Sequence, residues 1–483
     1  MSARSMKRVI SLLCAFLLLS TGNGCSRRTT TDQISPGIWV ETDYLENIPS
    51  EDFNGYTFRV LVSSDSGQTG WHNTITPETL EGCAYREAVF ERNRLVTEML
   101  NISISECIGE VTSIAVSDKY AEDGTMDLIC PDLESAASLS RKGVLSDLRQ
   151  REELRLDMPW WDPASIRDLS VGDRLFFAES DLNLQFVDVT YTLFYNRDLT
   201  EELNLEDPCA LVRRDEWTFD RMTEMVRAAT KDTDGNNIME APNDSFGIVV
   251  SGYTSVALLS GACERLIIPD GTGGYTPNLN SDAVLSIAEK ARNLLEEKGT
   301  AITWRYEGLD PFVIEDNTVY NGHSLFCEKR LCQFNKLKQS GILFGIVPWP
   351  KMNETQQTYG NGAYWFRQVT LCCAMPRSVE DKHRTALIVE ALATASRGEM
   401  LNRYYCSLYE DDPDCYEMLK ILDEGRLYDL GFIFGWGEIA SAYSEIASDS
   451  KQDIDAVLLK VERSFYKHYA KTLEQYNEIS DSN

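Results

Sequence analysis

Short apolar runs alternate along the chain with stretches of helical periodicity. Tyr56–Val62 is β-rich and bounded by Gly55 and by serines, and Met126–Pro131 is a second apolar run that ends at a proline. Both lengths and compositions predict buried strands. Arg86–Leu100, between them, has a helical pattern, and Ile102–Ile108 alternates apolar and polar residues. Strands interleaved with helices favour an α/β architecture with parallel strands over a β-sandwich.

The same alternation continues towards the C-terminus. Ser281–Lys298 carries an apolar stripe at helical spacing behind a capping serine, which predicts an amphipathic helix. Thr218 is the expected N-cap of another helix, and Ser378 is the expected start of a capping box whose helix ends near Gly398. The remaining predicted elements are strands over Thr190–Tyr195 and Ile342–Pro350 and a mostly helical region over Leu401–Tyr476.

The N-terminus predicts export. Arg4, Lys7 and Arg8 precede the apolar run Val9–Leu19, which has the length of a signal-peptide core and is short for a membrane span. Small residues lead to Cys25, a pattern that resembles the bacterial lipoprotein processing site, although Cys25 as an ordinary residue after cleavage is the alternative. We therefore predict a signal peptide over residues 1–24, lipidation at Cys25 and a polar tether over residues 25–50.

Composition narrows the classes of function. The 483 residues exceed the usual size of one hydrophobic core, so at least two lobes are expected. The 46 basic and 76 acidic residues give a net charge of −30, which argues against nucleic-acid binding. The thirteen cysteines follow no disulfide framework, and most are expected to be buried free thiols whose pairing the sequence leaves open.

Motifs for enzymatic chemistry are missing from the sequence. It contains no GxSxG, no P-loop, no GxGxxG and no HExxH, and its four histidines are far apart. Pairs of carboxylates are unavoidable among 76 acidic residues and define no glycosidase site. The sequence therefore favours a binding protein over an enzyme.

A family resemblance rests on a series of motifs in a fixed order. The chain resembles the sugar-type (family 1-like) extracellular solute-binding proteins of bacterial ABC transporters, many of which are lipoproteins. The motifs are Gly55–Val62, Met126–Ile129, Gly143–Leu148, Pro159–Asp162, Gly172–Phe177, Leu193–Leu199, Trp217–Asp220, Gly345–Lys351 and Tyr428–Gly431. The resemblance implies an α/β, two-lobed, periplasmic-binding-protein-like type II fold with hinge-crossing strands and a helical C-terminus.

The resemblance also implies how the chain divides between the lobes. Residues 51–189 and 350–398 would form lobe 1, and residues 190–349 and 399–483 would form lobe 2 with the C-terminal helices. The strands Tyr191–Asn196 and Val347–Pro350 are the expected hinge crossings.

One loop has the spacing of a calcium ligand set. Asp232, Asp234, Asn236 and Glu240 occupy positions 1, 3, 5 and 9 of the loop, and the carbonyl of Ile238 occupies position 7. Position 12 is Asn243 rather than the usual bidentate Glu, with Asp244 after it. The loop predicts a structural Ca²⁺ site, and an Asx-rich turn without metal is the alternative. The chain requires no other cofactor.

Aromatic residues next to glycines or at strand ends define the expected ligand site. Sugars offer apolar C–H faces to aromatic rings and hydroxyl rims to polar groups. The resemblance implies that the loop carrying Trp71 contacts ligand. The predicted ligand-binding residues are Trp71, Asp188, Tyr253, Trp304, Tyr364, Trp365 and Trp436, with Trp160 and Trp161 as further aromatic candidates.

These observations predict a monomeric receptor, lipid-anchored on the extracellular face of the membrane, that captures a carbohydrate by hinge closure. An oligosaccharide is the expected ligand, and the transmembrane subunits of an ABC permease are the expected partners. Two other functions stay open at this point. One is a ligand receptor for a sensor kinase, and the other is a surface-anchored hydrolase.

Overall fold

The computed structural model describes residues 44–64, 75–77, 84–121, 125–241, 243–250, 254–272, 274–297, 301–303, 318–363, 367–397, 412–448 and 453–479. The predicted signal peptide, Cys25 and most of the tether lie outside these residues. None of the helices in the described ranges combines the length and the apolar character needed to cross a bilayer.

A parallel sheet forms the first α/β unit. Strand β1 (Tyr56–Ser63) pairs in parallel with β2 (Ile102–Gly109) along its whole length and with β3 (Leu128–Cys130) at its C-terminal half. Parallel neighbours need crossover connections, and helices α1 (Ala84–Leu100) and α2 (Val111–Ala121) supply them. The strands, α1 and the alternation in β2 confirm the predictions for this region.

A mixed sheet forms the second α/β unit. Its five strands are β4 (Tyr191–Asn196), β5 (Phe246–Val250), β8 (Ala301–Thr303), β9 (Ser324–Arg330) and β10 (Phe344–Val347). They lie in the order β10-β4-β9-β5-β8. Strand β5 is parallel to β8 and β9, whereas β4 is antiparallel to both β9 and β10. The parallel sheet expected from the sequence is thus interrupted by one reversed strand, because β4 enters the sheet at the edge where β5 and β9 end.

The remaining strands are short: β6 (Ile267–Pro269) pairs with β7 (Tyr275–Pro277), and β11 (Asn361–Gly362) pairs with β12 (Arg426–Leu427). The other helices, in chain order, are α3 (Leu133–Arg141), α4 (Pro163–Asp168), α5 (Gln185–Asp188), α6 (Arg197–Glu202), α7 (Pro208–Arg213), α8 (Phe219–Ala229), α9 (Thr254–Gly261), α10 (Asp282–Glu296), α11 (Phe334–Gln339), α12 (Lys382–Ser396), α13 (Pro413–Glu424), α14 (Leu430–Phe434), α15 (Ile439–Ser448) and α16 (Ile454–Glu478).

Helix caps follow the sequence closely, with one correction. The side chain of Ser281 accepts a hydrogen bond from the Val284 amide at the start of α10, and that of Thr218 does the same at the start of α8. The predicted cap at Ser378 is wrong. Asp381 caps α12 instead, because its carboxylate accepts the amide hydrogen of Arg384 at 2.9 Å.

The C-terminal region is helical as predicted, from α13 to α16. Two separate α/β sheets with a helical C-terminus confirm the predicted fold class. The residue limits of the two lobes stay a prediction.

Candidate functional site

The second sheet has a polar edge where β5 and β9 end. Strand β4 begins at the same edge, where Tyr191 pairs with Arg330 and lies diagonally across from Glu328 near the end of β9. The Tyr191 hydroxyl donates to Glu328 Oε2 at 2.9 Å, and the Thr254 hydroxyl, at the start of α9, donates to Oε1 at 2.5 Å. Ligands of α/β proteins bind outside the carboxyl ends of strands. This buried carboxylate, held by two hydroxyls, lies at such a place.

The first sheet has a comparable edge where β3 ends. Asp132 follows β3 and caps α3 by accepting the amide hydrogen of Ser135 at 2.9 Å. Burial raises the pKa of the Asp132 carboxyl, and the Ser135 hydrogen bonds partly offset that rise. Gln185 Oε1 accepts the amide hydrogen of Leu371, which pairs with Asp132. Because Gln185 belongs to α5, just before β4, one short segment joins the polar edges of the two sheets.

Five of the predicted aromatic residues, Trp71, Tyr253, Trp304, Tyr364 and Trp365, lie outside the described residues. Their described neighbours in the chain are informative. Strand β5 ends at Val250, shortly before Tyr253, and β8 ends at Thr303, directly before Trp304. These strands are parallel, so both segments leave the sheet at the edge that carries Glu328.

Asp188 is the last residue of α5 and its side chain is fully buried. It lies between Gln185 at the edge of the first sheet and Tyr191 at the edge of the second. Direct contact between Asp188 and a ligand stays a prediction.

Trp436 is fully buried among other aromatic rings. Its indole nitrogen donates to Thr472 Oγ1 at 3.0 Å, and its ring centroid lies 4.9 Å from those of both Phe434 and Tyr469. Phe465 contacts it edge-on at 5.9 Å. A ring enclosed in this way offers no face to a sugar in this conformation, so the packing argues against the predicted ligand contact.

The pair Trp160 and Trp161 is also buried, at 0% and 1% exposure. Both indole nitrogens donate to the carboxylate of Glu390 on α12, each at 3.0 Å. These two rings therefore have a structural role in the core.

In the loop predicted to bind Ca²⁺, side-chain oxygens accept hydrogen bonds from backbone amides of the same loop. Asp232 accepts the amide hydrogens of Gly235 and Asn237, both at 2.7 Å. The Asp234 carboxylate accepts the amide hydrogen of Asn236. The side-chain oxygen of Asn236 accepts the amide hydrogen of Ile238 at 2.6 Å. Asn237 has a φ of 64°, the left-handed conformation expected at this position.

The sequence prediction missed one residue of this loop. Oxygen atoms of Asp232, Asp234 and Asp244 lie within 4.8 Å of one another. Asp244 is fully buried, and its two oxygens accept the amide hydrogens of Thr233 and Glu240, each at 2.8 Å. Asp244 therefore lies close to two of the predicted ligand carboxylates, and hard oxygen donors of this kind suit Ca²⁺.

Glu328 was also missed in the sequence. The sequence gives only a weak signal for it, because Glu328 is the first of three charged residues, followed by Lys329 and Arg330, that end the strand after the apolar run Leu325–Cys327. A buried acid in a strand needs specific partners. Sequence alone does not reveal those partners, because Tyr191 and Thr254 come from distant segments.

Two α/β units whose polar strand ends are joined by a short segment define a two-lobed periplasmic-binding-protein fold. Among solved structures, the chain is similar to the sugar-binding protein MalE of Xanthomonas citri, with a TM-score of 0.58 and 14% identity over 87% of this chain and 99% of that one.

Two further solved structures share the fold. The maltose-binding periplasmic protein MalE of Listeria monocytogenes, in complex with maltose, matches with a TM-score of 0.56 and 13% identity over 86% of this chain and 99% of that chain. The GacH receptor of Streptomyces glaucescens, known without ligand and with acarbose, matches with a TM-score of 0.53 and 13% identity over the same shares. Comparison with family models gave no match. Comparison with curated proteins gave no match either. At these identities the similarity establishes the fold.

Proposed function

We propose that this chain is the extracellular substrate-binding protein of an ABC importer and that it captures a carbohydrate, specifically an oligosaccharide. The observation that carries the proposal is the carboxylate of Glu328 at the strand ends, held by Tyr191 and Thr254, with aromatic residues in the adjoining segments. Solved proteins of the same fold bind maltose and acarbose.

The chemistry of such a site suits sugars. Hydroxyl groups of a sugar are hydrogen-bond donors, and an ionised carboxylate is an acceptor that makes strong, charge-assisted hydrogen bonds. Trp71, Tyr253, Trp304, Tyr364 and Trp365 would supply ring faces for the apolar side of the ligand. Polar groups fix the orientation of the ligand, and rings provide the buried area.

Binding would act through hinge closure. A ligand that contacts both lobes stabilises the closed state by the difference between its affinities for the closed and open states. The proposed hinge crossings are Tyr191–Asn196 and Val347–Pro350. The segment from Gln185 to Tyr191 joins the two polar edges and leads into the first of these crossings, so a change in its backbone angles would move one sheet relative to the other. The closed form would then be delivered to the transmembrane subunits of the permease. Lipidation of Cys25 would keep the monomeric receptor at the outer face of the membrane.

Isothermal titration calorimetry of the purified mature chain against malto-oligosaccharides, other oligosaccharides, amino acids and peptides tests the proposal. We expect binding within the oligosaccharide group alone. Binding of amino acids or peptides alone would contradict the carbohydrate assignment. Release of shorter sugars during the titration would favour the surface hydrolase instead.

A matched pair of variants on β4 locates the site. Tyr191→Phe removes a hydroxyl that orients Glu328, and we expect sugar binding to weaken by about 1 kcal/mol, the usual value of one hydrogen bond. Tyr195→Phe is the control, because that hydroxyl donates to Asp207 at 2.7 Å and lies four residues, about 13 Å, further along the strand. Equal affinities of the two variants would exclude the Glu328 edge from the site.

A further inference from the structure

Two buried cysteines, Cys130 in β3 and Cys373 in the segment beside it, lie next to each other at the first sheet. Ile129 and Ala374 exchange both of their backbone hydrogen bonds, each at 2.9 Å. Two positions further along, the Cys372 amide donates to the Pro131 carbonyl, also at 2.9 Å. In an antiparallel pair, hydrogen-bonded and non-hydrogen-bonded positions alternate. Cys130 and Cys373 lie between these two points and therefore form a non-hydrogen-bonded pair.

This position brings two side chains as close as a sheet allows. The Cα atoms of a non-hydrogen-bonded antiparallel pair are about 4.5 Å apart, and a disulfide accepts Cα separations of roughly 4.4–6.8 Å. The Cys373 thiol is close enough to hydrogen-bond to that of Cys130. Both residues are free thiols, at 0% and 2% exposure. A covalent bond between the two sulfurs thus needs little movement of the backbone.

The neighbouring Cys372 provides a contrast within the same extended segment, which makes isolated antiparallel bridges to the chain at β3. Successive residues of a strand point to opposite faces of the sheet. The Cys372 thiol accordingly lies 3.4 Å from the carbonyl oxygen of Pro131 rather than against Cys130. The geometry distinguishes Cys373 from its neighbour as the partner of Cys130.

We propose that Cys130 and Cys373 are an oxidative modification site, which becomes a disulfide when the chain folds in contact with a disulfide-bearing oxidant. The thiolate of one cysteine attacks the oxidant disulfide, forms a mixed disulfide and releases one thiolate of the oxidant. The second cysteine thiolate then attacks the protein sulfur of the mixed disulfide and releases the second thiolate. Two protein thiols lose two protons and two electrons, and the oxidant disulfide becomes two thiols.

The reaction takes place while the chain folds, before the two thiols are buried in the folded protein. The hydrogen bond with the adjacent Cys373 thiol, together with burial, raises the pKa of Cys130 well above its usual range, so little thiolate exists once the sheet has formed. The disulfide would close a very long loop and stabilise the fold mainly by restricting the unfolded chain. Cys130 belongs to β3 of the first sheet and Cys373 lies directly beside that strand, so the bond leaves a hinge between the two sheets free. The proposal is therefore independent of the proposed sugar binding.

The test is refolding of the denatured mature chain in a mixture of reduced and oxidised glutathione, followed by alkylation of free thiols and peptide mass spectrometry without reduction. We expect a peptide that links Cys130 to Cys373 as the main intramolecular product. The refolded protein should melt at a higher temperature than the same sample after reduction. The folded reduced protein, exposed to the same mixture, should react far more slowly.

Variants separate the pair from other cysteines. Cys130→Ala and Cys373→Ala should each lose the linked peptide and the gain in melting temperature, whereas Cys372→Ala should keep both. A main link to Cys372 or to any other cysteine, or free alkylated Cys130 and Cys373 after refolding, would overturn the proposal. Mass spectrometry of the wild-type chain decides this even if a variant fails to fold. Sugar affinity measured in the same samples is a separate result and has no influence on the outcome.

Discussion

The indole nitrogen of Trp160 donates to Glu390 Oε1 at 3.0 Å, across 230 residues of sequence. The second oxygen of this carboxylate accepts the Trp161 indole at 3.0 Å, and Arg155 adds an ion pair at 2.8 Å. Glu390 is fully buried in α12. One carboxylate therefore fixes the orientation of two large rings and joins the Pro159–Asp162 motif to the helix.

This arrangement predicts a large effect from a conservative change. Glu390→Gln removes the charge and turns an amide N–H towards one of the indole donors. Because a hydrogen bond to a charged group contributes about 1.5–3 kcal/mol, we expect the free energy of unfolding to fall by at least that amount in urea titrations. Glu380→Gln, at an exposed position, is the control and should stay within about 0.5 kcal/mol of wild type. A similar stability for both variants would mean that the Glu390 network contributes little.

The enclosure of Trp436 leads to a second prediction. Replacement of a core Trp by Ala costs roughly 3–5 kcal/mol, so Trp436→Ala should lower the unfolding free energy by that amount. Any of this protein that folds should bind sugar with the affinity of wild type. Trp71→Ala should show the opposite pattern, with a loss of affinity of about 1–3 kcal/mol and little loss of stability. Calorimetry and urea unfolding of both variants would reveal a reversed pattern if Trp436 were the ligand contact.

Sequence reasoning succeeded where neighbouring residues determine the structure. The strand at Tyr56 and the helix behind Ser281 both follow from a few adjacent positions. It failed for the cap of α12, because Ser378 and Asp381 are both good capping residues and the local sequence does not distinguish them.

The glycines around Trp436 show why site residues are harder to predict. Their presence suggested close approach of a ligand, and both Gly435 and Gly437 do have positive φ values. A Cβ atom on Gly437 would lie 2.8 Å from the backbone nitrogen of Phe465, so this glycine permits close packing of α16. Glycines next to a tryptophan permit the close approach of either a ligand or a packed helix. Only the distant segment that contacts them, here α16, distinguishes the two cases.

His383 leads to a prediction about pH. The ring nitrogens of His383 lie 2.7 Å from a carboxylate oxygen of Glu153 and 3.0 Å from one of Glu51, and donation of its N–H groups to these carboxylates raises the pKa of His383 above its ordinary value. The stability that these hydrogen bonds add is therefore complete below the pKa of His383 in the unfolded chain, about 6.5. It is lost as the pH rises through the higher pKa of His383 in the folded protein. The urea midpoint of wild type should exceed that of His383→Gln at pH 5.5, and the difference should shrink towards pH 9. Since the ring is exposed, salt should weaken the effect. A difference that does not change with pH would contradict this origin.

The predicted lipidation of Cys25 leads to a prediction about attachment of the protein to the membrane. Cys25→Ser should release the protein into the medium, because no lipid can then be attached at the new N-terminus. Cys14→Ser, within the apolar run, is the matched control and should leave the protein with the membrane. Fractionation of expressing cells followed by immunoblotting measures both. Retention of the Cys25→Ser protein at the wild-type level would contradict lipidation.

The loop from Asp232 to Asp244 gives the last prediction, which concerns metal. If Ca²⁺ binds there, a chelator should lower the melting temperature, and added Ca²⁺ should restore it, because a ligand of the native state stabilises that state. The double variant Asp232→Ala with Asp234→Ala should melt at the lower temperature without responding to chelator, and Asp244→Asn should need more Ca²⁺ for the same rise. Asp270→Asn is the control, because Asp270 accepts the amide hydrogens of Thr272 and Gly274 in a similar exposed turn. A wild-type melting curve that ignores chelator would identify the loop as a turn held by its own hydrogen bonds.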